Sequence, residues 1–211
     1  MKRRMELLNW ANRKEHRYIV EDDYDSEFRY KGKPIPALQG YDTQDKVIYL
    51  GTFSKSIAPA IRMSYMVLPE PLLTEYEKRC GFVSTTVSKV DQMIVQRFIE
   101  EGYYERHLNK TRALYKNRHD TLIDGLRSLK EICEISGEHA GVHLLLTFRD
   151  GRSEKTLIRL AEERDIRVYG LSECRIQEYT DESSSTILLG YANLTEEQIK
   201  EAVRLLCDCW K

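Results

Sequence analysis

The residues best able to do chemistry sit at the ends of short apolar runs. Residues 47–50 (Val-Ile-Tyr-Leu) lead into Gly51-Thr52-Phe53-Ser54-Lys55, and Arg62 follows seven residues after the lysine in Pro59-Ala60-Ile61-Arg62. Upstream, the apolar residues 18–20 run straight into Glu21-Asp22-Asp23-Tyr24. A lysine amine can capture a carbonyl carbon, and a carboxylate can hold a protonated ring nitrogen. A phenol can hydrogen-bond an oxyanion, and hydroxyls with an arginine can hold a phosphate. Each has an ordinary reading when taken singly. A loop lysine is usually solvated, adjacent aspartates usually open a loop, and an arginine usually pairs on the surface. No G-x-x-x-x-G-K-[ST] surrounds Lys55, so it is not a P-loop lysine.

The elements that must position these groups follow from hydrophobic patterning. Residues 2–12 read as a helix with Leu7, Leu8 and Trp10 or Ala11 on one side. Residues 18–20, 47–50 and 63–68 read as three short buried strands, the last stopped by Pro69, and together they predict a mostly parallel α/β sheet. From Pro71 the pattern turns helical, with Val87, Val90, Ile94 and Phe98 at three- and four-residue intervals. A longer helix is predicted over residues 103–129, its Leu108, Tyr115, Leu122 and Leu129 forming a packed core face rather than a zipper. Beyond it come a strand in "HAGVHLLLTF", a helix started by Ser153, short strands in "IRVYG" and "TILLGYA", and a last helix capped by Thr195 with Gln198 completing a capping box. The predicted division is residues 1–112, part of a large α/β domain, and residues 113–211, a small α+β domain.

Composition narrows the function classes. The chain has 211 residues, 33 basic against 34 acidic, and a net charge of −1, so no bulk basicity draws it to nucleic acid or anionic lipid. No apolar run approaches a membrane span, and the basic first residues are not followed by the apolar stretch of a secretory signal. The five cysteines are scattered without C-x-x-C, and the five histidines lack metal-ligand spacing. A reduced, cytoplasmic protein without a metal is therefore expected.

Ligand sites in open α/β sheets form at the carboxyl ends of strands. If the first two strands are neighbours, an acid, a tyrosine, two hydroxyls, a lysine and an arginine converge there. That set matches pyridoxal 5′-phosphate, whose aldehyde needs an amine, whose ring nitrogen needs an acid, and whose phosphate needs hydroxyls and an arginine. The run "EDDYDSEFRY" followed by "YLGTFSKSIAPAIRMSYMVLP", and then "AGVHLLL" and "LLGYA", resembles the aminotransferase-like domain of MocR/GabR-type regulators, within the fold type I pyridoxal-phosphate superfamily. The resemblance covers essentially the whole chain. It implies that Lys55 bonds the cofactor, that Asp22 pairs with the ring nitrogen, and that Tyr24 hydrogen-bonds the phenolic oxygen. Thr52, Ser54 and Arg62 are implied for the phosphate. For a substrate carboxylate the family uses an arginine of the small domain. The position just before "LLGYA" offers none, so Arg175 in "SECRIQEY" is the candidate, with a plain surface arginine as its alternative. His143 is read as a core histidine rather than a cofactor neighbour. Pro59-Ala60 and Ser64 depart from the Pro-Gly and glycine of housekeeping transaminases and favour the regulator branch.

The resemblance also implies a homodimer, an amino acid or amine as effector or substrate, and no membrane. Full-length members carry a DNA-binding winged helix and the first half of the large domain, neither of which this chain contains. A truncated piece with no DNA binding of its own is therefore expected. Three readings remain open at this stage: the effector-sensing part of a regulator, an aminotransferase acting on an amino acid and a 2-oxo acid, or an inactive fragment.

Overall fold

A computed structural model describes residues 1–32, 35–174 and 185–211. It divides into two compact units, Met1–Glu27 with Lys33–Asn109, and Phe28–Gly32 with Lys110–Lys211.

The first unit opens with α1 (Lys2–Asn12), which buries Leu8 and Ala11 and leaves Leu7 and Trp10 exposed. Strand β1 (Ile19–Asp23) pairs in parallel with β2 (Val47–Thr52), which passes directly into the single turn α2 (Phe53–Ser56). Strand β3 (Ser64–Val67) pairs with β2 antiparallel, giving the order β1-β2-β3. The mostly parallel sheet expected from the apolar runs is thus half right within this sheet. The 3₁₀ turn Pro59–Ile61 and a left-handed Arg62 reverse the chain, so β3 runs back along β2 instead of crossing over. A small core of Leu8, Leu38 and Val47, flanked by Ile19 and Tyr41, holds α1 to the sheet. The Glu21 carboxylate fastens this face by accepting from Leu38 N (2.6 Å), Gln39 N (2.9 Å) and Arg4 Nη2 (3.1 Å). Helices α3 (Glu70–Cys80) and α4 (Lys89–Glu100) follow. The predicted stripe on α4 forms at helical spacing, but only Val95 is buried; Val90, Met93 and Ile94 are exposed.

Helix α5 (Tyr103–Gly125) begins in the first unit and ends in the second, where a 3₁₀ turn Leu126–Leu129 continues it. Its length corresponds to ~35 Å at 1.5 Å per residue. The second unit then builds β4 (Cys133–Ser136), β5 (His143–Phe148), α6 (Glu154–Glu162), β6 (Tyr169–Gly170), β7 (Thr186–Gly190) and α7 (Glu196–Trp210). Its sheet has the order β4-β5-β7-β6 with every pairing antiparallel. Alternation along β5 buries Leu144, Leu146 and Phe148 against Leu157 of α6 and Ile199, Val203, Leu206 and Trp210 of α7. The capping box forms as its spacing predicts: Thr195 Oγ1 accepts from Gln198 N, and Gln198 Oε1 accepts from Thr195 N. His143 is only half-buried on β5. The buried histidine is His119, packed between the rings of Tyr30 and Tyr191.

Candidate functional site

Parallel pairing of β1 and β2 brings their carboxyl ends to one edge of the sheet, with Asp22 in register with Leu50 and Asp23 with Gly51. Side chains in register share a face, and neighbours along a strand do not. Asp22, Leu50 and Met66 therefore form one row on one face, and Thr52 and Ser64 form the next. All five line a cavity of about 370 Å³, within the range of small-molecule sites. Opposite-face residues do structural work. Tyr49 Oη donates to Asp23 Oδ2 at 2.8 Å, and Ser26 Oγ donates to the same oxygen at 2.8 Å. The Tyr65 ring lies across Gly51, where an added Cβ would stand 2.3 Å from Tyr65 Cζ. Only glycine allows that approach, and the ring also packs on Phe53 with centroids 5.3 Å apart.

The turn carrying Lys55 is held by Thr52. Its backbone is extended (φ −140°, ψ 142°), and its Oγ1 accepts from Ser54 N at 3.1 Å while donating to Met63 O at 3.2 Å. Phe53 N donates to the same carbonyl at 2.9 Å. One turn of helix then presents Lys55 to solvent and buries Ser56. Downstream, His107 lies 3.1 Å from Ile57 O through its Nε2, fixing the exit of the turn.

Asp22, Lys55 and Arg62 are exposed, and none of their side chains makes a hydrogen bond or ion pair among the described residues. Arg62 has φ 46° and ψ 35°, a left-handed conformation that a residue bearing a Cβ seldom adopts. Such strain is concentrated at binding and catalytic positions. Tyr24, exposed at the end of β1, has its phenol pushed up from the ordinary value by partial burial and by the carboxylates of Asp25 and Asp22. It therefore keeps its proton, and its capacity to donate, well into the alkaline range.

The structure thus brings Asp22 and Thr52 to one cavity. Ser54, Lys55 and Arg62 stand on the turn and loop that leave β2, and Tyr24 stands just past β1, none of them in the cavity lining itself. Arg175 lies outside the described residues. Sequence reading missed Leu50, Met66 and, from the edge, Tyr65 and Gly51 as parts of the lining, and Ser64 as a hydroxyl beside Thr52. The available signal was strand register, which requires knowing that β3 runs antiparallel.

The donor set fits pyridoxal phosphate on the structure's own terms. Asp22 offers a carboxylate to the cavity, and Lys55 and Arg62 stand on the turn and loop that leave β2, their side chains without a partner among the described residues. An acid, an amine and a guanidinium are the groups that a ring nitrogen, an aldehyde and a phosphate require.

The profile of the family described as aminotransferase class I and II matches residues 4–206. Among curated proteins, the chain is 39% identical over 209 residues to the uncharacterized HTH-type transcriptional regulator YhdI of Bacillus subtilis, covering 99% of this chain and 44% of that protein. It is 32% identical over 207 residues to the probable rhizopine catabolism regulatory protein MocR of Rhizobium meliloti, covering 98% and 41%. Among solved structures, the kynurenine aminotransferase of Pyrococcus horikoshii, crystallised in complex with PMP, matches at a TM-score of 0.85 with 28% identity, over 99% of this chain and 51% of that one. The chain spans about half the length of the curated relatives it matches. The fold is that of the fold type I aminotransferases. No helix among the described residues is long and apolar enough to cross a membrane.

Proposed function

The chain belongs to the aminotransferase class I and II family, and from that premise we propose that it is the pyridoxal-phosphate-holding, effector-sensing part of a MocR/GabR-type regulator. The observation that supports this reading is the parallel pairing of β1 and β2, which puts Asp22 and Thr52 in one cavity at their carboxyl ends, with Lys55 on the turn that leaves β2. The regulator branch is supported by the relatives named as transcriptional regulators, which at 39% and 32% identity stand above the 27% of an aromatic-amino-acid aminotransferase of Thermococcus litoralis.

When bound, pyridoxal phosphate supplies a reactive carbonyl and an electron sink for charge developing at an amino acid's Cα. Lys55 would supply the amine that anchors the cofactor, and when not so engaged the same amine would be the group placed to take and return a proton at an amino acid's Cα. Asp22 keeps the ring nitrogen protonated from the cavity side. Tyr24, its proton retained, donates to the phenolic oxygen. Thr52, Ser54 and Arg62 would bind the phosphate, and Arg175 would take the effector carboxylate. Residues 1–112 and 113–211 correspond to large-domain and small-domain parts. A homodimer, an amino acid or amine as effector, a cytoplasmic place of action and no direct contact with DNA complete the proposal, the last in keeping with the net charge of −1.

The test is chemical. Protein mixed with pyridoxal phosphate should develop a visible absorbance band, and borohydride reduction followed by peptide mapping should put the label on Lys55. Lys55→Ala should lose both, and a Lys55→Ala protein that keeps the band would sink the assignment. The aminotransferase reading is supported by the likeness to the kynurenine enzyme. It requires repeated turnover of an amino acid into its 2-oxo acid, whereas a sensor stops at displacement of Lys55.

A further inference from the structure

The geometry points to Ser64 as a further hydroxyl for the phosphate end of the ligand, beside the Thr52 that the family resemblance implies. This inference rests on the pyridoxal-phosphate reading and adds a residue to it.

A serine or threonine hydroxyl has one proton to donate. In Thr52 that proton is committed to Met63 O at 3.2 Å, while the oxygen caps the turn by accepting from Ser54 N at 3.1 Å. An anion offers only acceptors, so Thr52 can serve it only by releasing the carbonyl that ties β2 to the segment entering β3. Ser64 is in register with Thr52 across that pair, so their side chains share a face with Cβ atoms ~5 Å apart. Ser64 lines the same cavity and is exposed, and its hydroxyl makes no hydrogen bond among the described residues. Its proton is free where that of Thr52 is not.

The placement also suits a ligand with opposite charge at its two ends. The Asp22–Leu50–Met66 row and the Thr52–Ser64 row are one two-residue step apart, ~7 Å along the strand. The carboxylate thus marks the cationic end of the cavity and Ser64 the anionic end. Arg62, two residues before Ser64 with an unpartnered guanidinium, adds the positive charge that a phosphate monoester requires. Leu50 and Met66 leave an apolar patch for an aromatic ring beside the acid.

The experiment compares binding of pyridoxal 5′-phosphate, pyridoxal and inorganic phosphate to the full chain, the last by competition. Ser64→Ala should weaken pyridoxal phosphate and inorganic phosphate by about tenfold each, the effect of losing one hydrogen bond to a charged acceptor. It should leave pyridoxal unchanged, and Ser64→Thr should restore the phosphate preference. Unaltered affinity of Ser64→Ala for pyridoxal phosphate, with borohydride still labelling Lys55, would overturn the role of Ser64 and leave the cofactor reading standing. Equal weakening of pyridoxal and pyridoxal phosphate would also overturn it, because the serine would then be shaping the sheet. A wild-type chain that shows neither label on Lys55 nor preference for the phosphorylated form would overturn both.

Discussion

Arg62 offers a perturbation in which stability and binding should part company. Its backbone lies in the left-handed region at φ 46°, ψ 35°, where a residue with a Cβ costs about 1–2 kcal/mol. Its guanidinium has no hydrogen-bond or ion-pair partner among the described residues, so truncating it removes no internal contact. Arg62→Ala keeps the Cβ and hence the strain, and should change stability by less than about 0.5 kcal/mol. Arg62→Gly releases the strain but adds about 0.5–1 kcal/mol of unfolded-state entropy. The glycine variant should therefore be the more stable of the two by about 0.5–1 kcal/mol. For a chain of 211 residues, a shift of about 2–4 °C per kcal/mol makes this a difference of about 1–4 °C in melting temperature. Thermal melts followed by circular dichroism resolve that gap. Both variants should nonetheless lose about tenfold or more in affinity for pyridoxal phosphate relative to pyridoxal, having lost the same cation. A glycine variant that melts at or below the alanine variant would refute the claim of backbone strain. Either variant retaining the full phosphate preference would remove Arg62 from the site.

Two further outcomes concern aromatic side chains around the same sheet. Gly51→Ala puts a Cβ 2.3 Å from Tyr65 Cζ, expelling the ring from Phe53 at a cost of about 1 kcal/mol. The penalty should vanish in a Tyr65→Ala background, and a chemical-denaturation cycle showing equal loss in both backgrounds would contradict the contact. Alkaline titration supplies the other outcome. Burial holds the phenols of Tyr24, Tyr49 and Tyr104 above their ordinary value of 10.0, with Asp23 adding to the effect on Tyr49. The unfolded chain ionises these groups first, so their stabilisation is complete below pH 10 and declines as pH rises beyond it. Tyr49→Phe should remove part of the late tyrosinate absorbance and flatten the alkaline fall in melting temperature.

Local signals survived the passage from sequence to structure, and long-range ones did not. The Thr195–Gln198 box and the Ser153 cap each depend on residues within one turn of each other, and both formed, whereas the strand expected over residues 47–50 runs on through Gly51 to Thr52. The direction of β3 depended on Arg62 taking a positive φ, and arginine gives no turn signal as glycine or asparagine would. Strand β4 offered only Cys-Glu-Ile-Ser, too few positions for alternation to register. Periodicity correctly made α4 a helix, but a stripe does not say what covers it. Val90, Met93 and Ile94 remain exposed among the described residues. His119 is buried by Tyr30 and Tyr191, which are far from it in sequence, and no local pattern marks it.

Thr52 shows where likeness to a family stops carrying information. The family resemblance nominates its hydroxyl for the phosphate, and residue type alone can go no further. The structure gives the same hydroxyl a second duty, tying Ser54 N and Met63 O together so that α2 leaves β2 at the angle that exposes Lys55. One proton cannot serve both tasks at once. A site that must hold its lysine turn rigid and still bind an anion therefore needs a second hydroxyl on the same face, and the only register position beside Thr52 on the paired strand β3 is Ser64. In a member with glycine at that position, the same conflict would have to be resolved by the cap itself or by the arginine. Introducing Ser64→Gly here should accordingly weaken pyridoxal phosphate at every salt concentration without changing its salt slope, since an exposed charge contact such as that of Arg62 is screened while a hydroxyl hydrogen bond is not. Affinity for pyridoxal phosphate measured across a salt series should fall on a parallel line of lower affinity in Ser64→Gly, and an unchanged affinity would argue that Ser64 never held the anion.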